Sequence, residues 1–484
     1  MARVLLLDAP GWQGAAEGQR AFPNVGLAYL IPGLIAEEHE VSVLDLNNEA
    51  LADDETRARA RAFAPDLIGI SIKTATVKHG RRVGRSLRAA LPGVTIVVGG
   101  PHVLIAGPEL EAEDWIDHLF AGEAEETLPA FLRERQGPQR GSLPRVVAGG
   151  DPRFAASPRP QDLDALPFPD FSLFPPAVRA SLAENYPLVT SRGCVYKCVY
   201  CSVPLISGRG HRRRSIPNII AELRQARDRY GVRGFQVIDD VFNLDMNRCK
   251  DFCRELIASG LALSWSCPNG IRVDRVDPEL AGLMRRSGCA AVMVGVESAD
   301  PAVLAAVNKG ETVADIERGI GVLQAAGIEV GGFFLIGAPG DSIRSQEISL
   351  AFVKRTGIRS LFNMVVPYPG TELWQWAQQN ARFLHDLQEG VHFSDSARKV
   401  SPVFETDDFP AAERVRAYEM VHTRTGQFGL LIPADTPGGR AFRQRLRLLW
   451  QYDRPNLFPF LAETLREKLK SRAGRSTKTA GAEK

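Results

Sequence analysis

No stretch of this chain approaches the roughly 18 apolar residues that a membrane-spanning helix requires. The apolar run in the opening MARVLLLD stops at Asp8, too soon for a signal peptide. Neither sign of charge dominates. Lys and Arg number 59 against 57 Asp and Glu, a net charge of +2 that gives no argument for a polyanion partner such as nucleic acid. The two common phosphate-cradling glycine patterns, G-x-G-x-x-G and G-x-x-x-x-G-K-[ST], do not occur. Cysteine is scarce and odd in number, seven in 484 residues. A disulfide scaffold is therefore not expected, and a reducing, cytoplasmic setting is. What is present is ordinary for a globular chain, 44% apolar and 24% charged, with room for two or three domains.

Three of the seven cysteines are crowded into SRGCVYKCVYCS (191–202), as Cys194, Cys198 and Cys201 in the spacing C-x3-C-x2-C. Three soft thiolates in one short loop suit an iron–sulfur cluster. No fourth cysteine lies nearby, so a 4Fe-4S cluster here would keep one iron open, as a catalytic cluster needs and an electron carrier does not. A zinc loop would want a fourth Cys or His at familiar spacing. Plain buried cysteines are the other alternative, although the loop is rich in Gly and Lys. Cys249 and Cys253 stand at i and i+4, but Cys249, Phe252, Cys253, Leu256 and Ile257 trace an apolar helix face and read as core. Cys267 and Cys289 read as small buried residues.

Upstream, over about 1–135, short apolar runs alternate with helical patterns. RVLLLD (3–8), EVSVLD (40–45), DLIGIS (66–71), TIVVGG (95–100) and HLFAG (118–122) are the strands; 25–38, 53–63 and 77–91 are helices. This is the pattern of a doubly wound parallel sheet, whose ligands sit beyond the carboxyl ends of the strands. The loops there are 8–12, 71–76, 99–102 and 121–126. A Pro-rich connector over about 136–186 reads as extended. From about 187 to 380 six more strand–helix units follow, with strands at 186–191, 234–240, 263–270, 290–298, 329–339 and 360–368. Six units make a partial (β/α)6 barrel, TIM-like, with its chemistry at the carboxyl ends of the strands. The cysteine loop follows the first of them. The region 381–472 reads as helical, and the small polar tail 473–484 as disordered.

These words resemble a known family. The cysteine loop, with Tyr200 before its last cysteine, is similar to that of the radical S-adenosylmethionine (radical SAM) superfamily. VGVES, FFLIGAPGDS and VPYPGTEL match the branch that also carries cobalamin-binding domains. FPNVGLAYL, VVGGPH and GEAEET resemble that N-terminal domain, without the D-x-H-x-x-G whose His ligates cobalt elsewhere. The resemblance implies three cofactors: a 4Fe-4S cluster on Cys194, Cys198 and Cys201, S-adenosylmethionine (SAM), and cobalamin. It places SAM near Tyr200, Asp239, Asp240, Asn269, Arg272, Glu297 and Ser298. Helix capping, or pairing of Arg272 with Asp274 or Asp277, is the structural alternative for these residues. It places cobalamin near Pro10, Ser71, Thr74, Gly99, Gly100, His102, Gly122 and Glu123. His102 reads equally as a hydrogen-bonded loop residue and His79 as part of a solvated helix face.

The implied activity is that of a C-methyltransferase. The cluster reduces SAM, the 5′-deoxyadenosyl radical takes hydrogen from an unactivated carbon, and methylcobalamin passes its methyl to that carbon. The substrate would be a small molecule or a lipid, and the electron donor a flavodoxin or ferredoxin. A cobalamin-assisted cyclase or oxidoreductase is the rival within the family. A non-catalytic cobalamin or Fe-S sensor or electron carrier is the rival outside it. The basic run GRGHRRRS (208–215) is short and lacks interleaved aromatics, and is expected near the cluster loop, on an anionic cofactor or substrate, or in solvent, not on nucleic acid. Leu446, Leu448, Leu449 and Trp450 with their arginine neighbours are candidates for peripheral membrane contact.

Overall fold

The computed structural model describes residues 1–10, 22–49, 51–136, 146–148, 159–386, 401–427, 431, 436, 438–464 and 466. Six parallel strands form the first sheet: β1 (Arg3–Asp8), β2 (Glu40–Asp45), β3 (Leu67–Ser71), β4 (Thr95–Gly99), β5 (His118–Ala121) and β6 (Val146–Ala148). Their order is β2-β1-β3-β4-β5-β6, so the sheet winds one way from β1 and then the other. The crevice at such a reversal is where open α/β sheets bind ligands. The register aligns the strand ends in one row, Asp45 beside Asp8, Asp8 beside Ser71 and Ser71 beside Gly99.

Alternation along β1 decides what each face covers. Leu5 and Leu7 face one way, into a core closed by the helices Asp53–Phe63 and Val77–Ala90. Val4 and Leu6 face the other way, into a core shared with the second half of the molecule. That shared core also holds Leu27 and Ile31 of helix Val25–Ala36 and Phe171 and Phe174 of the connector. Burying one continuous apolar layer against both sheets is what fixes the two halves on each other.

The second sheet is again six parallel strands. β7 (Tyr186–Leu188) is followed by a two-residue hairpin, β8 (Ser191–Arg192) with β9 (Arg212–Arg213), whose arms enclose the cysteine loop. Then come β10 (Gly234–Val237), β11 (Ser264–Ile271), β12 (Cys289–Glu297), β13 (Glu329–Ile336) and β14 (Arg359–Met364). The order β14-β13-β12-β11-β10-β7 is that of consecutive strand–helix units, as the apolar runs imply. Cys249, Cys253, Cys267 and Cys289 lie in its core.

The connector departs from the extended reading in two places. Val146–Ala148 pairs with β5 and completes the first sheet, because two adjacent valines suit an edge strand. Pro176–Asn185 is a helix that starts on its proline, at the one turn where a missing N–H removes no hydrogen bond. Residues 137–145 and 149–158 and the tail 473–484 lie outside the described residues.

Helices Ala411–Arg424 and Gly438–Tyr452 follow the barrel. Arg414 is 2% exposed and packs its guanidinium against the carbonyl of Gly337 at 3.2 Å and that of Phe409 at 2.8 Å. The apolar stripe near 450 turns inward: Leu448 and Leu449 are buried and Leu446 half-buried, so of the four membrane candidates only Trp450 is exposed. The stripe packs on helix Ala411–Arg424, where Leu448 shares a small core with Leu431 and Tyr418. Among the described residues no helix is long and apolar enough to cross a membrane.

Candidate functional site

The carboxyl ends of the two sheets share one cavity of about 370 Å³. One wall comes from the first sheet, with Leu6, Gly69, Ser71, Gly99, Gly100 and Gly122. The other comes from the barrel, with Val189, Ser191, Arg192, Ile206, Ile238 and Asp240. Glycines on the first wall bring backbone to the surface, as a broad flat ligand needs. Gly100 is constrained twice over. Its φ is +98°, and a Cβ there would lie 2.6 Å from the Ile72 carbonyl oxygen. That turn feeds helix Pro101–Glu111, which begins where the sequence reading has only a loop. The floor therefore fits a corrin macrocycle, and among the described residues no histidine stands in its wall.

The cysteine loop hangs between the hairpin arms beside this cavity. Its backbone is pinned at several points. The Cys194 amide donates to the Gly208 carbonyl (3.3 Å), that of Val199 to Val307 (3.1 Å) and that of Leu373 to Val199 (2.9 Å). Cys194, Cys198 and Cys201 are all half-buried and carry no disulfide. Burial raises all three thiols, Cys201 to about 12, and each thiolate would repel its neighbours. Coordination by iron removes that repulsion, so the donor set fits iron–sulfur chemistry. Among the described residues no group of three His, Cys, Asp or Glu is arranged around a single metal ion. Three thiols in one pinned loop are nevertheless the donor set that an iron–sulfur cluster would take.

Beneath the loop lies a buried charge network. Tyr200 donates to Glu297 Oε1 at 2.7 Å, and Lys309 Nζ reaches the same oxygen at 3.1 Å. Lys309 also lies 3.7 Å from Glu311, which in turn lies 3.4 Å from Arg272. Burial and the neighbouring Asp274 carboxyl push Glu311 up to about 7. The Arg272 guanidinium stacks on Tyr196 at 3.9 Å. Gly295 makes room for the pair: a Cβ there would lie 2.4 Å from both Glu297 Oε1 and Lys309 Nζ. Glu297 itself holds φ at +63°, an unfavourable value that the network maintains.

Most strand-end polar residues named for SAM already have protein partners. Asp239 is buried and accepts from the Thr190 amide (2.6 Å), the Thr190 hydroxyl (2.5 Å) and the Ser191 hydroxyl (2.6 Å). Arg272 pairs with Asp274 at 3.0 Å and donates to the Lys309 carbonyl at 2.7 Å; Asp277 pairs with Lys250 instead. Ser298 is buried and accepts from the Asp300 amide at 3.1 Å. A buried polar group needs such partners, and these residues found them within the fold. Asp240 lines the cavity while accepting from the Gly193 amide at 2.8 Å, and Asn269 is exposed, donating at 2.8 Å to the carbonyl of Ile238, itself a lining residue.

Of the cobalamin set, Ser71, Gly99, Gly100, Gly122 and Glu123 line the cavity; Pro10, Thr74 and His102 do not. His102 sits on a helix, not a loop, 3.2 Å from the Thr74 hydroxyl, and burial lowers it to about 4. His79 is half-buried on helix Val77–Ala90.

The sequence reading missed the joint between the two walls. Glu123 accepts from Arg192 at 2.6 Å and from Arg212 at 3.0 Å, and Arg192 also pairs with Glu125 at 2.8 Å. Arg192 lies over the ring of Tyr29, 5.1 Å from its centroid. Arg212 pairs with Glu123 and the buried Arg214 with Glu222, whereas Arg213 pairs with Asp245 at 2.8 Å while staying exposed to solvent. Only the odd clustering of arginines at 212–214 beside a cysteine loop hinted at it.

The radical SAM superfamily model matches residues 188–352, and the B12 binding domain model matches residues 15–132. An uncharacterized methyltransferase of Pyrococcus horikoshii is 31% identical over 370 residues, 74% of this chain and 79% of its own length. The cytidylyl-2-hydroxyethylphosphonate methyltransferase of Streptomyces wedmorensis is 26% identical over 437 residues, 77% of this chain and 80% of its own. The solved structure of the radical S-adenosylmethionine methyltransferase TsrM from Kitasatospora setae superimposes with a TM-score of 0.66 at 18% identity, covering 90% of each chain, which speaks to the fold.

Proposed function

This chain belongs to the radical SAM superfamily, in the branch that carries a B12 binding domain, and from that premise we propose that it methylates an unactivated carbon of a small-molecule or lipid substrate. The observation that carries the reading is the single cavity between two sets of strand ends, with a glycine floor on one side and the arms of the cysteine loop on the other. When bound, the cluster and SAM supply a carbon-centred radical and cobalamin supplies the methyl group.

The protein's own part is geometric. Cys194, Cys198 and Cys201 would hold the cluster, and the pinned loop backbone would fix where the three sulfurs stand. Ser71, Gly99, Gly100 and Gly122 present backbone and a hydroxyl to the corrin. Asp240 and Asn269 are the SAM contacts we favour, because Asp240 stands in the cavity wall and Asn269 is exposed beside Ile238 of that wall. Asp239, Arg272, Glu297 and Ser298 act one step back, by holding the loop and strand ends in place. Burial of the cavity between two sheets keeps water from a radical. A flavodoxin or ferredoxin would deliver the electron. For a lipid substrate, exposed Trp450 and Phe458 beside Arg447 and Arg454 would touch the bilayer, and cosedimentation with anionic vesicles would test that.

The decisive test is anaerobic reconstitution with iron, sulfide and hydroxocobalamin, followed by turnover with methyl-labelled SAM. About four irons and one corrinoid per chain, release of 5′-deoxyadenosine and label in a product carbon are expected. Deoxyadenosine without labelled product would move the reading to cyclisation or another radical reaction. Iron absent altogether would overturn it.

A further inference from the structure

The ion set that joins the two walls does more than hold them together. Glu123 and Glu125 follow Gly122 at the end of β5, in the wall that faces the corrin site. Arg192 ends β8, two residues before Cys194, and Arg212 opens the antiparallel arm β9. The four side chains are nearly out of solvent, with Arg192 at 14%, Arg212 at 9%, Glu123 at 13% and Glu125 at 8%. Arg212 also donates to the carbonyls of Pro160 and Ser207, at 2.7 and 3.2 Å, so the hairpin cannot shift without breaking bonds on both sides. Tyr29, 5% exposed and in the cavity wall, lies under the Arg192 guanidinium. A ligand that settles against Gly122 and Tyr29 therefore acts on the same side chains that set the position of the cysteine loop.

We propose that Arg192, with Glu123, Glu125 and Arg212, couples the two cofactor sites: filling the cluster site tightens the corrin site, and the reverse. This rests on the cobalamin reading above. Arg192 and Arg212 are positioning residues in this scheme, since neither needs to touch the reacting atoms. Coupling of this kind is reciprocal, and its usual size is about 5- to 150-fold in affinity. Buried ion pairs are suited to it because they are stiff. Removing one partner strands a charge, whereas replacing both by apolar groups of similar volume is often tolerated.

The test measures hydroxocobalamin affinity of the full chain by equilibrium dialysis without oxygen, for cluster-loaded protein and for protein left without iron. Loaded wild type should bind at least about five-fold tighter than the iron-free form. The paired variant Arg192→Met with Glu125→Met, which leaves Glu123 with Arg212, should keep about four irons but bring that ratio below about two-fold. Arg192→Lys, keeping one charge but not the fork, should fall between. The ratio cancels any direct effect of Arg192 on the corrin, which a single affinity would not. An unchanged ratio in the paired variant, or a wild-type ratio of one, overturns the proposal while leaving the methyltransferase reading intact. No corrinoid binding by either wild-type form overturns both, and the iron count then shows that the cluster reading stands apart.

Discussion

Gly295 shows how much depends on an absent methyl group. The space it leaves is filled by Glu297 Oε1 and Lys309 Nζ, each 2.4 Å from where a Cβ would be. Gly295→Ala is expected to push the two side-chain ends aside and cost about 1–3 kcal/mol, the usual penalty for overpacking a filled site. A urea midpoint equal to that of wild type would refute it. Cys198→Ala should behave in the opposite way. The thiol is half-buried and forms no disulfide, so the apo protein should melt close to wild type while iron after reconstitution falls well below four per chain. An undiminished iron count would remove Cys198 from the ligand set. At this scale the cysteine loop was legible because three thiols in eight residues have few other uses. Asp239, Arg272 and Ser298 were legible as polar strand ends, but not the protein partners they meet there. A sequence does not say whether a buried carboxylate meets a ligand or the hydroxyls of Thr190 and Ser191.

The strands and helices followed from apolar periodicity almost throughout, since each β unit is an apolar run and each helix carries a stripe. The elements that escaped were either very short or, like helices Pro101–Glu111 and Pro176–Asn185, set among prolines and glycines that read as loop. β6 has three residues, and the hairpin arms β8 and β9 have two each, too few for any period to show. Helix Ala411–Arg424 gives a pH-dependent expectation. His422 on it is fully buried, stacked on Tyr418 at 4.0 Å, and burial lowers it from 6.5 to about 4. The unfolded chain takes up a proton near 6.5 that the folded helix refuses, so stability is full above 6.5 and declines as pH falls toward 4. His422→Phe should keep the stacking, lose about 1 kcal/mol at neutral pH with the bond to the Tyr418 carbonyl, and fall less steeply with acid. Parallel melting curves for the two proteins from pH 7 to 4.5 would refute the assignment. On helix Val77–Ala90, Gly84 lies against Trp115, where a Cβ would come within 2.1 Å of the ring. Gly84→Ala should therefore destabilise the first sheet by about 1–3 kcal/mol through overpacking, and an unchanged denaturation midpoint would count against that packing.

For the whole molecule, two sheets meet with their carboxyl ends around one cavity, and neither half closes it alone. The order of the two halves along the chain was legible in the sequence; their mutual orientation was not. That orientation rests on the shared core around Leu6, Phe171 and Tyr186 and on ion pairs between residues that no local pattern connects. Chelating the iron from reconstituted protein should accordingly leave the fold intact, because the apolar layer holds the halves together, and a circular dichroism spectrum that collapsed on chelation would contradict this.

Glu123 bonds Arg192 across 69 residues of chain and Arg212 across 89. During synthesis the first sheet therefore leaves the ribosome while Glu123 still lacks the two arginines that pair with it. That carboxylate is paired only once the hairpin that carries the cysteines has been made. Translation order thus becomes loading order. A nascent chain stalled before residue 190 should not retain corrinoid, and the vitamin should be captured only after the ribosome has delivered the arginines on either side of the cysteine loop.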